Sequence, residues 1–130
     1  MEAAVEALPR GAGGHERLAA TGRGYLAFAR ENPAHFGLMF RTDLIDTTDP
    51  TWRLAAKSAW TPLATAMEAA APGVEGRALR ARLALAWAAV HGFCTLRLEV
   101  PGAELWAGED RAAEVAEDMI ALLVEACAAP

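Results

Sequence analysis

Residues 76–99 read GRALRARLALAWAAVHGFCTLRLE, and the spacing inside this stretch decides the fold. On a helical wheel of about 100° per residue, Leu79, Leu83, Trp87, Val90, His91, Cys94 and Leu98 share one broad side. Leu85, Ala89, Gly92, Phe93 and Leu96 share a second, and Ala81, Ala84, Ala88 and Thr95 run between the two. The middle of the segment is therefore apolar nearly all round, without the period of two that a strand requires. That pattern predicts a long helix which several neighbours must surround.

Residues 109–128, EDRAAEVAEDMIALLVEACA, show a related excess. Val115, Ala116, Met119, Ile120, Leu122, Leu123, Ala126 and Cys127 span half the circumference or more, while Glu114, Glu117, Asp118 and Glu125 take the rest. Glu109 and Asp110 put negative charge where the start of a helix favours it. One neighbour per helix does not cover this much apolar surface, and a twofold copy would. The expectation is a homodimer through a four-helix interface built from these two helices. Its candidate residues are Leu85, Ala89, Gly92, Phe93, Leu96, Met119, Ile120, Leu123 and Cys127. The alternative is a single bundle in which both helices pack internally and small residues allow close approach.

Outward from these two helices, Gly and Pro divide the chain. A short helical piece, Glu2–Leu8, ends at Pro9 and a glycine-rich link, Gly11, Gly13 and Gly14. An amphipathic helix follows over about 16–31, with Leu18, Gly22, Tyr25, Leu26, Phe28 and Ala29 on its apolar side. Asn32 with Pro33, and Asp49 with Pro50, read as N-caps followed by the proline that suits a first helical position. They open a short aromatic helix over 33–41 and a longer one to about Ala71, with a loop over 43–48 between them. Pro62 falls inside the longer helix, where a kink or break is expected beside which a cavity can open. Pro72 and Gly73 end that helix, Val100, Pro101 and Gly102 end the next, and residues 103–108 read as a link. No sheet is predicted. The whole is one all-α domain over residues 15–130, preceded over 1–14 by the end of a helix and a flexible link.

Composition narrows the function classes. An apolar fraction of 54% rules out disorder. A formal charge of -5 argues against a direct grip on DNA, which depends on basic residues neutralising phosphates. Cys94 and Cys127 are the only cysteines and have neither disulfide-framework nor zinc-site spacing. The opening residues carry Glu2 and Glu6 rather than a basic signal region, and no apolar run is long enough to span a membrane. A cytoplasmic protein without membrane partners is expected.

Tyr25, Phe28, Ala29, Asn32, Pro33, Phe36, Leu38, Met39 and Phe40 resemble the "Y..FA..NP..F.LMF" stretch of TetR-type transcriptional regulators. Trp87, His91 and Gly92, in WAAVHGFCTL, resemble the Trp, His-Gly signature of the WHG branch of their C-terminal domains. The similarity in helix order extends from about His15 onward. What the resemblance implies is an all-α ligand-binding domain whose last two long helices dimerise, with a cavity in each subunit. In such regulators, ligand binding resets the spacing of two N-terminal helix-turn-helix heads and releases the operator. No helix-turn-helix precedes Met1 here, so contact with DNA is expected only through a missing N-terminal domain. Glu2–Leu8 resembles the end of the helix that connects the two halves, and the chain reads as a truncated regulator. A free-standing sensor or a dominant-negative dimer partner is the other reading.

Tyr25, Phe28, Met39, Phe40, Trp60, Leu63, Met67, Trp87 and His91 are the pocket candidates, since apolar walls with a few polar groups are what small-molecule sites use. A small, largely apolar or aromatic effector fits them. His91 needs a partner for any buried ring nitrogen, and a structural role beside Gly92 is favoured over ligand contact. His91 and Cys94 at i, i+3 lack the electropositive setting of a nucleophile, so no enzyme is expected. His15 and His35 add no paired spacing, so neither metal nor cofactor is expected. Arg77, Arg80 and Arg82 read as a solvated basic face. The runner-up function is a stand-alone helical protein–protein interaction module without a small-molecule pocket.

Overall fold

The structure is a computed structural model that describes residues 1–41, 43–99 and 111–128. Among the described residues six helices follow one another: α1 (Glu2–Glu6), α2 (Gly14–Glu31), α3 (Pro33–Met39), α4 (Pro50–Ala70), α5 (Gly76–Glu99) and α6 (Ala112–Ala128). Among the described residues there is no strand, so the all-α expectation holds. The expected helix stop at Val100, Pro101 and Gly102, the link over 103–108, and the acidic start at Glu109 and Asp110 lie outside the described residues.

Helix α2 is the centre of the assembly and packs on each of the other five, most extensively on α4. Its first residue is Gly14 because the backbone of Ala69 and Ala70 passes so close that a Cβ there would collide with it. Further along, a Cβ on Gly24 would fall 2.9 Å from Met1 Cα and 3.0 Å from Ala4 Cβ, which is how α1 lies flat against α2. Leu18, Tyr25 and Ala29 on α2 join Phe36, Met67, Ala86, Val90, Cys94, Leu123 and Cys127 in one buried cluster. Thr21, the buried polar residue of α2, donates from its hydroxyl to the Arg17 carbonyl at 2.9 Å.

Asp49 accepts from the Thr51 amide at 2.7 Å, as a helix N-cap should. Asn32 sits between α2 and α3 but caps neither amide: its side-chain nitrogen donates back to the Phe28 carbonyl at 3.2 Å, closing α2 instead of opening α3. Of the kink or break expected at Pro62, the break does not occur: α4 continues through it. The Thr61 hydroxyl takes up the Lys57 carbonyl at 2.9 Å beside it. A recess of about 250 Å³, lined by residues of α1, α2 and α4, flanks the proline.

Two basic residues behave as expected, and one does not. Arg77 and Arg80 are exposed, whereas Arg82 folds inward and donates to the Cys127 carbonyl at 2.7 Å. That carbonyl belongs to the last turn of α6, where backbone oxygens have no helical partner. The Cys127 thiol returns a long contact to the Arg82 carbonyl at 3.6 Å, so α5 and α6 are clasped at both ends of one pair.

Candidate aromatic binding site

Helices α3, α4 and α5 bring most of the predicted aromatic residues together, and a helical turn is the spacing that does it. Trp87 and His91 stand one turn apart on α5; Phe36 and Phe40 stand one turn apart along α3 and its C-cap. Phe36 is the buried pivot. Its ring meets Tyr25 edge-on at 5.8 Å and 82°, and lies 5.5 Å from Phe40 and 5.4 Å from His91. His91 is 4.3 Å from Phe40 and 5.7 Å from Trp87, and Trp87 meets Trp60 of α4 at 5.7 Å and 87°. The rings thus form a chain from Tyr25 in the core to Phe40, Trp60 and Trp87, which are 38%, 38% and 40% exposed.

Polar chemistry enters this chain at its inner end. The Tyr25 hydroxyl and His91 Nδ1 are hydrogen-bonded at 3.0 Å, which gives the half-buried imidazole a hydroxyl partner. Burial pushes the Tyr25 hydroxyl up to about 12. It is therefore a neutral hydrogen-bonding group across the physiological range. Cys94, one turn from His91, is pushed by burial up to about 11, so its sulfur is held as the thiol rather than as a nucleophilic thiolate. Among the described residues, no three His, Cys, Asp or Glu side chains gather where they could hold a metal ion.

The other pocket candidates fall elsewhere. Met67 is wholly buried in the core, and Leu63 and Phe28 are half-buried against it. Met39 is exposed at the end of α3. Phe36 was not among the candidates, although it stands in the motif between Asn32 and Phe40. Its signal was position: the single large apolar residue in the first turn of a short helix.

A family described as tetracyclin repressor-like, C-terminal domain, matches residues 18–123. This chain belongs to that family. No curated protein and no solved structure matches it. The family suggests a regulator's ligand-binding and dimerisation role.

In this TetR-like domain the second apolar surface lies on α5 and α6. Leu85, Ala89, Val115, Met119, Leu122, Leu123 and Ala126 line an open trough of about 420 Å³, with Asp118 as a charged wall. Leu122 is 67% exposed and Leu85 49%. Of the residues predicted for a dimer face, Leu96 is exposed, and Ala89, Gly92, Phe93 and Met119 are half-buried. Ile120 and Cys127 are taken up by the subunit's own interior, and Leu123 is buried at the floor of the trough. Leu122 opens where those three were expected. Among the described residues a Cβ on Gly92 would meet nothing within 4 Å, so none of them makes the close approach expected there. Among the described residues, no helix is long and apolar enough to cross a membrane.

Proposed function

We propose that this chain is the effector-binding and dimerisation domain of a TetR-type transcriptional repressor. It senses a small, largely apolar or aromatic molecule at the ring cluster of Tyr25, Phe40, Trp60, Trp87 and His91. The family match over residues 18–123 carries this reading. The ring cluster supports it, because it combines apolar walls open at one end with the Tyr25–His91 hydrogen bond at the other. The trough on α5 and α6 supports the second half: exposed Leu85 and Leu122 beside Ala89 and Met119 are apolar surface that a second copy would cover. In this reading the dimer relays effector binding to a DNA-binding head N-terminal to α1, and the chain itself catalyses nothing.

A thermal-shift screen of neutral aromatic and aliphatic compounds tests the sensing half, since a ligand that binds only the folded state raises its melting temperature. Hits whose shift vanishes in Trp87→Leu support the ring cluster as the site. An absence of hits, or hits indifferent to that change, favours the interaction-module reading.

A further inference from the structure

Trp60 and Trp87 meet edge to face, with centroids 5.7 Å apart and planes at 87°. Walls at that angle make a corner rather than a slot. A rounded group seated in the corner touches two π faces at once, whereas a planar ring lies flat against only one. Phe40 stands beside them, 6.4 Å from Trp87 and tilted by 40°. All three side chains keep more than a third of their surface open.

The face of an aromatic ring is the negative pole of its quadrupole, and indole is the strongest of the three ring types in this respect. A corner of such faces favours a positive guest. The cation next in the chain to Phe40 does not supply one, because the Arg41 guanidinium is held by both oxygens of Asp43 at 2.8 and 2.6 Å. The chain's net charge of -5 also favours the approach of a cation over that of an anion. A primary ammonium would need acceptors for its N–H groups, and the rings of Trp60, Trp87 and Phe40 offer none. Resting on the effector-site reading above, we propose that the Trp60–Trp87 corner, flanked by Phe40, receives a quaternary ammonium head group. Such a group is positive, covered in methyls and without N–H donors.

The test uses choline and its uncharged carbon isostere, in which a tert-butyl group replaces the trimethylammonium. Binding is measured by calorimetry, and the site is located by the indole N–H signals of Trp60 and Trp87 in NMR spectra. The expected result is choline binding about fivefold or more tighter than the isostere, with both indole signals moving. Trp60 is on the surface, so Trp60→Leu should keep the helical circular dichroism while erasing the preference, and Trp60→Phe should keep part of it. Equal binding of the two probes overturns the charge preference and leaves the effector site standing. A preference that survives Trp60→Leu, or no choline binding while a neutral screening hit moves both indoles, also overturns the proposal. If neither probe nor any neutral compound moves the indole signals, the effector-site reading fails with it.

Discussion

At the residue scale, the inner end of the aromatic chain is the most demanding place in the molecule. Tyr25 is buried, yet its hydroxyl is committed to His91, so Tyr25→Phe keeps the ring packing and strips one hydrogen bond. The expected cost is about 1 kcal/mol in urea unfolding at neutral pH. The same residue and Cys94 set an alkaline limit. Both acids ionise less readily folded than unfolded: Cys94 moves from 9.0 to about 11, and Tyr25 from 10.0 to about 12. The unfolded chain therefore loses these protons first as pH rises, and stability that is intact below pH 9 should decline from there to about 12. Cys94→Ala should flatten the lower part of that decline and Tyr25→Phe the upper part. A stability profile that is level across this range in the unmodified chain would contradict the burial of both groups.

At the element scale, the glycine that opens α2 carries a definite consequence. Gly14→Ala places a methyl group into the backbone of Ala69 and Ala70, which cannot rotate away as a side chain would. The start of α2 must then lift from the end of α4, at a cost of about 1–3 kcal/mol, read as a lower urea midpoint. An unchanged midpoint would mean that the two helices do not meet there. Helix positions were legible in the sequence: Pro33, Pro50 and Gly76 begin α3, α4 and α5 where proline and glycine said they would. What a wheel cannot give is rotation. The period of 3.6 shows that α6 has more apolar circumference than one neighbour covers, but its tilt on α2 and α5 decides which arc turns inward. That is why Ile120 and Cys127 went to the core and Leu122 to the surface. The candidate site was legible in the same partial way. Aromatic rings at helical spacing indicated a cluster, while Phe36 as its pivot and Trp60 at a right angle to Trp87 depend on how three helices cross. Arg82 was misread for a related reason, since its partner is a backbone oxygen that no side-chain pattern reveals.

At the scale of the whole molecule, the apolar trough on α5 and α6 faces solvent in the single subunit, and the proposed dimer would bury it. Leu122 is open enough for a charge to be tolerated in the lone subunit, so Leu122→Glu separates folding from assembly. Light scattering behind size exclusion should give a dimer for the unmodified chain and a folded monomer for the variant. The dissociation constant should rise at least about 100-fold, because an unpaired carboxylate at an apolar interface is costly. A variant that stays dimeric would place the interface elsewhere. The two cysteines add a clock to this picture. Both sulfurs are buried and burial holds both thiols protonated, so an alkylating reagent waits for the helices around them to part. Cys127 is clasped to Arg82 across α5 and α6, and Cys94 lies one turn beyond His91. Their separate labelling rates would time two different breathing motions, one between α5 and α6 and one behind the rings. An effector that tightens the rings should slow the second more than the first.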